Sequence, residues 1–220
     1  MSMPVTPLPA ATDWSAVAIG EFVAKLCAKV PTPGGGAACA VNGAVGAATI
    51  AMSAGYTSGP KYAAVEAEAK EIYQKLQDAA RALIALAGED EAAYGAVNAV
   101  LALPKEPDEA RKLRWEKLKK ARLAAAGIPV RMVEQCADVL ALAKQLKPIC
   151  NKSILSDLQA GSEMVAGALN AAAVQVRANL DGLKGGDVLA QRLADVEARV
   201  QPILVEIRRA PEAAAESAGQ

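Results

Sequence analysis

Residues Pro31–Gly55 read PTPGGGAACAVNGAVGAATIAMSAG: three consecutive glycines, then a run of small residues whose only polar side chains are Asn42, Thr49 and Ser53. The fold turns on what this stretch forms. A membrane span needs about 20 apolar residues, and the run from Gly36 nearly has the length, but Ala and Gly contribute little insertion energy compared with Leu or Ile. A Walker-type phosphate loop needs Gly-Lys-Ser/Thr, and Ala37 and Ala38 follow the glycines instead. A buried helix with small faces fits better. Ala40 and Ala44, like Gly43 and Ala47, lie four apart, so neighbouring helices can approach until backbones touch. The glycines add something that packing does not require, because PGGG at a helix N-terminus offers bare N–H groups to a carboxylate or phosphate. The expected element is a buried helix running to about Ala54.

Outward from it, nearly every segment repeats its apolar residues at period 3.6, and none alternates as a half-buried strand would. The expectation is an all-α, single-domain helical bundle with long amphipathic helices. It comprises an N-terminal extension (1–12), the helical domain (13–209) and a flexible tail (210–220). Asp13 is placed to cap a first helix, about 14–29, with Val17, Phe22, Leu26 and Val30 on its apolar side. A long helix is expected from about Lys61 to Leu103, with a bend near Gly88. Asp108 then caps EARKLRWEKLKKARLAAAG, whose basic face reads as solvated surface. Gly127 and Pro129 are expected to separate this helix from VRMVEQCADVLALAKQL. The last two helices are expected over about 157–180 and 188–209, parted by DGLKGGD.

The 220-residue chain carries 24 Lys and Arg against 24 Asp and Glu, which leaves no cationic excess to neutralise nucleic-acid phosphates or an anionic membrane surface. Aromatics are 3% of residues, too few for a single-strand stacking platform. Neither nucleic acid nor membrane is an expected partner. The absence of histidine removes His-activated nucleophiles and most zinc sites, leaving carboxylates, Lys, Tyr, Cys and backbone dipoles for chemistry. Cys27, Cys39, Cys136 and Cys150 have no CxxC spacing and read as reduced core thiols of a cytoplasmic protein. MSMPVTPLPAATDW lacks the basic and apolar regions of a signal peptide.

Taken in order, PTPGGGAACAVNGAVGAA, KYAAVEAEAKEI, EDEAAYGAVNAVLALPKEPDEARKLRWEKL, IPVRMVEQCADVLALA, NKSILSDLQAG and VQVRANLDGL closely resemble the C-terminal family of formiminotransferase-cyclodeaminases. That family includes stand-alone bacterial methenyltetrahydrofolate cyclohydrolases. The similarity runs in register from about Trp14 to Arg209. It implies an all-helical homodimer acting on one-carbon adducts of tetrahydrofolate, with no metal and no redox cofactor. It also implies that Gly34, Gly35 and Gly36 line a folate site. The family's lysine-rich element falls on Gly59, Lys61 and Tyr62, with Pro60 where another lysine is usual. A third element falls on Asn151, Ser156 and Asp157, with Cys150, Ser153 and Leu158-Gln159 departing from the pattern.

Methenyltetrahydrofolate is an amidinium cation, so water addition needs a base for its proton and an acid for the departing N5. With no histidine present, Asp157 is the candidate base or cation stabiliser and Lys61 the candidate acid or oxygen orienter. Asp157 has two other readings: part of a helix start capped by Ser156 with Gln159 as its reciprocal partner, or an acceptor for paired pterin N–H groups. Lys61 reads alternatively as a solvated residue at a helix start. Asn151 and Asn42 suit either pterin contacts or loop anchoring, and Arg177 either the folate glutamate carboxylates or an ordinary salt bridge. The expected activity is hydrolysis of 5,10-methenyltetrahydrofolate to 10-formyltetrahydrofolate. The alternatives are cyclodeamination of formiminotetrahydrofolate on the same scaffold and a non-catalytic folate-binding bundle.

Overall fold

Ala37, Ala40, Ala47 and Ile50 have no solvent exposure, and the glycine-led stretch forms α2 (Gly35–Gly55) at the centre of an all-α bundle. The structure is a computed structural model describing residues 11–209. The expected tail and most of the N-terminal extension lie outside the described residues. Around α2 are α1 (Ile19–Cys27), α3 (Glu66–Leu101), α4 (Asp108–Leu146), α5 (Leu155–Leu180) and α6 (Asp187–Arg208). α2 packs mainly on α3 and α5, α4 spans those two, and α6 packs on α4 and α5. No strand occurs among the described residues. By length and composition α2 is apolar enough to cross a membrane, yet 61% of its most hydrophobic window is buried inside the bundle.

The small residues of α2 permit backbone contact with α5. A Cβ built on Gly46 would lie 2.8 Å from the Gly161 carbonyl oxygen and 2.7 Å from Val165 Cγ2, and one on Gly161 would lie 2.8 Å from the Gly46 carbonyl oxygen. Neither helix can carry a side chain there. Gly88 serves a similar purpose on α3. The helix runs on through it, as expected, and a Cβ on Gly88 would collide with the Thr12 carbonyl oxygen, so the glycine admits a crossing segment.

Two expected helices take a different form. The expected 14–29 helix is a 3-10 turn, Trp14–Ala16, capped by Asp13 and followed by extended residues and the short α1. Of its expected apolar side only Phe22 is buried, edge-on to Trp14 with ring centroids 5.0 Å apart. The expected break at Gly127 and Pro129 does not occur, because α4 is continuous over 39 residues. A mid-helix proline costs about 3 kcal/mol. Here Pro129 is itself buried beside Val130, Met132 and Val133, each at most 1% exposed, and burying side chains of that size returns about 1.5–3 kcal/mol apiece.

Burial along α3 ends at Gly88 and, Leu118 apart, begins along α4 at Ala126. Residues 89–101 of α3 and 108–125 of α4 therefore form an antiparallel arm beyond the packed core. The root of this arm meets the glycine end of α2.

Candidate active site

The Ala38 N–H makes the first bond of α2, to the Gly34 carbonyl at 3.1 Å. The N–H groups of Gly35, Gly36 and Ala37 precede it and have no intrahelical acceptor. The helix start borders a pocket of about 300 Å³ lined by Gly34, Gly35 and Thr32 together with Asp90, Tyr94, Arg122, Gln175 and Asn179, while Gly36 and Ala37 are buried. Thr32 Oγ1 donates to Glu91 Oε1 at 2.8 Å, which ties the Pro31–Pro33 strap to α3.

Asp90 from α3 projects over the helix start. A Cβ on Gly36 would fall 2.3 to 2.5 Å from the Asp90 carboxylate, so only glycine leaves room for it. Burial, and then the charge of Glu91, raise the Asp90 carboxyl above its ordinary value. Among the described residues, Asp90, Tyr94, Arg122, Gln175 and Asn179 have no side-chain hydrogen bond or ion pair. Convergent polar groups left without protein partners are what a ligand site requires. Beneath the pocket, burial pushes the Cys39 thiol up to about 11 and the Cys136 thiol up to about 12. Both are protonated at neutral pH and are poor nucleophiles.

The residues singled out from sequence divide between the two ends of α2, a helix about 30 Å long. Gly34 and Gly35 line the pocket, and Gly36 lies beneath Asp90. Lys61 and Tyr62 lie in the 3-10 turn Pro60–Tyr62 beyond the other end, where Lys61 Nζ sits 5.6 Å from the Tyr62 ring centroid. Asn151 joins this far end. Its Nδ2 donates to the Tyr56 carbonyl at 3.1 Å and its backbone N–H to Thr57 Oγ1 at 3.1 Å, so it anchors a loop. Asn42 holds two helices together instead, its Nδ2 donating from α2 to the Met164 carbonyl of α5.

Ser156 is not the cap of α5, whose N-cap position is Ile154 and carries no side-chain cap bond. Asn151 Oδ1 accepts from Ser153 N–H ahead of the 3-10 turn Lys152–Ile154, and α5 begins at Leu155, which puts Ser156 and Asp157 inside its first turn. Asp157 makes no hydrogen bond or ion pair among the described residues, so its carboxylate is not spent on capping. Arg177 is not among the residues lining the pocket and pairs with Glu197 of α6 at 2.6 Å. The guanidinium that lines the pocket is Arg122, from the basic face of α4 read above as solvated. The sequence reading missed Asp90, Tyr94, Arg122, Gln175 and Asn179. Asp90, Tyr94 and Val97, spaced i, i+4 and i+7, form one stripe of α3, the signal by which the first two were findable.

An all-α bundle with a polar pocket at a glycine-opened helix N-terminus is the class of protein that this fold and site define. Residues 18–198 match the family described as Formiminotransferase-cyclodeaminase, and the chain belongs to that family. It is 33% identical over 180 residues to the methenyltetrahydrofolate cyclohydrolase of Methylorubrum extorquens, covering 81% of this chain and 86% of that protein. It is 27% identical to the formimidoyltransferase-cyclodeaminase of Rattus norvegicus over 64% of this chain, which spans only 26% of that longer protein. The solved structure of formiminotetrahydrofolate cyclodeaminase from Thermotoga maritima superposes with a TM-score of 0.80, covering 88% of this chain and 94% of that one at 23% identity. This likeness concerns the fold.

Proposed function

We propose that the protein hydrolyses 5,10-methenyltetrahydrofolate to 10-formyltetrahydrofolate in the cytoplasm. The observation that carries the reading is the similarity to a methenyltetrahydrofolate cyclohydrolase over 81% of this chain and 86% of that protein. The glycine-end pocket supports it with donors and a carboxylate suited to a folate cation. The reaction makes a carbon–oxygen bond and breaks the carbon–N5 bond without change of oxidation state, so the reading needs proton transfers and no redox cofactor, and the family resemblance implies no metal. Cyclodeamination of formiminotetrahydrofolate is the second reading, favoured by the cyclodeaminase relatives. Purified protein incubated with each adduct separates them: loss of the methenyl chromophore without ammonia release supports the first, and ammonia from the formimino adduct supports the second. Folate binding with neither activity leaves a binding protein.

The site residues proposed at the far end of α2, Asp157 and Lys61 with Tyr62, Asn151 and Ser156, reach the glycine end only through a second copy. The exposed stripe of α2, with Val45, Met52 and Tyr56 between 41% and 61% exposed, borders two grooves that share Ala48, Ala80 and Arg81. An antiparallel two-fold centred on Ala48 sets Gly35 of one copy opposite Lys61 of the other. Such an isologous homodimer completes one site from two chains. Light scattering at micromolar concentration is expected to give twice the 22.6 kDa chain mass. Met52→Asp, which places a charge on the shared face, is expected to give monomers with lost turnover; a monomeric parent sinks the proposal.

Gly35→Ala is expected to weaken folate binding by about 1–3 kcal/mol, the range for losing charge-assisted hydrogen bonds. Its Cβ would meet only the movable end of Gln175, at 2.9 Å, so the bundle stays folded while the approach to the N–H groups narrows. Calorimetric titration of both proteins at matched thermal stability checks this. Unchanged affinity in an early-melting variant would make the glycines a packing device alone.

A further inference from the structure

We infer that Asp90 is a catalytic proton-transfer residue of this site, receiving a proton from the attacking water and passing it to the departing nitrogen. The inference rests on the hydrolytic reading above and assigns to that reaction a residue that the sequence comparison did not single out.

Three placements carry it. The carboxylate stands over the start of α2, in space that only Gly36 leaves open. It lines the pocket on the same face of α3 as Tyr94 and opposite Arg122 and Gln175. Among the described residues it has no hydrogen-bond or ion-pair partner, although it is half-buried. A carboxylate that served only to anchor the strap would resemble its neighbour Glu91, which holds Thr32. Asp90 faces open space where a substrate sits. Partial burial also raises its proton affinity, which suits a group that must accept a proton and then release it.

The step balances as follows. Water oxygen bonds to the methenyl carbon of the cation while one water proton moves to the Asp90 carboxylate, giving a neutral carbinolamine. The carbon–N5 bond then breaks, Asp90 returns its proton to N5, and the hydroxyl proton leaves to solvent as the formyl C=O forms. The products are 10-formyltetrahydrofolate and one proton. Before attack, the ionised Asp90 also offsets the positive charge of the amidinium.

Asp90→Asn keeps the shape and removes the basic oxygen. It is expected to melt with the parent and bind 10-formyltetrahydrofolate within about threefold of it, while kcat falls at least about a hundredfold, the lower bound for a general acid–base group. Gly36→Ala gives an independent measurement should the Asn variant misfold. Its methyl displaces the same carboxylate, and a loss in kcat of at least about tenfold is expected from misplacing a reacting group. Full turnover in a folded form of either variant overturns the assignment while leaving the cyclohydrolase reading intact. A parent inert toward the methenyl adduct instead overturns that reading and this one with it. If Asp90→Asn loses product binding and keeps kcat at saturation, Asp90 is a binding residue and the inference fails.

Discussion

Gly46→Val is expected to cost the fold about 3 kcal/mol or more, at the upper end of what overpacking a core does. The new Cβ alone would stand 2.7 Å from Val165 Cγ2, 2.8 Å from the Gly161 carbonyl oxygen and 3.0 Å from the Val165 nitrogen. Two of those three atoms are backbone, so the clash is relieved only by separating α2 from α5 and losing the burial of Ile50, Leu158 and Val165, each at 0% exposure. Against a typical domain stability of 5–15 kcal/mol, this is a large fraction. Chemical denaturation of parent and variant measures it. Gly127→Ala supplies the contrast. Nothing lies within 4 Å of a Cβ at that mid-helix position, and replacing glycine there should raise stability by about 0.5–1 kcal/mol. Equal behaviour of the two variants would sink the close-contact account of α2.

Asp157→Asn is expected to lower kcat/KM at least about a hundredfold with the melting temperature unchanged. The physical ground is that the carboxylate has no cap, hydrogen bond or ion pair to lose among the described residues, so the change removes charge and basicity alone. The kinetic parameters assign the role. A fall in kcat marks proton transfer or transition-state stabilisation, whereas a rise in KM with kcat kept marks a carboxylate that holds the pterin N–H groups. Normal kcat and KM would remove Asp157 from the site and leave the glycine-end pocket to act alone. Because Asp157 and Gly35 lie at opposite ends of α2, a mixture of monomer-locked and parental protein offers a second check. Activity that follows the dimer fraction supports a shared site.

The helical class, the family and the position of α2 were legible in the sequence because each depends on short-range information. Period-3.6 patterning identifies helices, small residues four apart identify a close-packed face, and PTPGGG identifies a helix start with free N–H groups. The absence of histidine likewise determined that any acid–base chemistry falls to carboxylates, Lys and Tyr. Pro129 was misread for the same reason that local rules usually succeed. A proline penalty is local, whereas the burial that outweighs it comes from helices remote in sequence.

What only the tertiary structure decided is which chemical groups share a space. Asp90 is 54 positions from Gly36 along the chain, Arg122 and Gln175 come from two further helices, and nothing in local spacing says that they meet at one helix N-terminus. Conversely, Lys61 and Asp157, which the family resemblance groups with the glycines in one folate site, stand a whole helix away from them in the folded chain. Helix propensity and periodicity act over a few residues, while a pocket is set by how rigid helices of fixed length cross. The 1.5 Å rise per residue of α2 therefore separated the expected site into two ends.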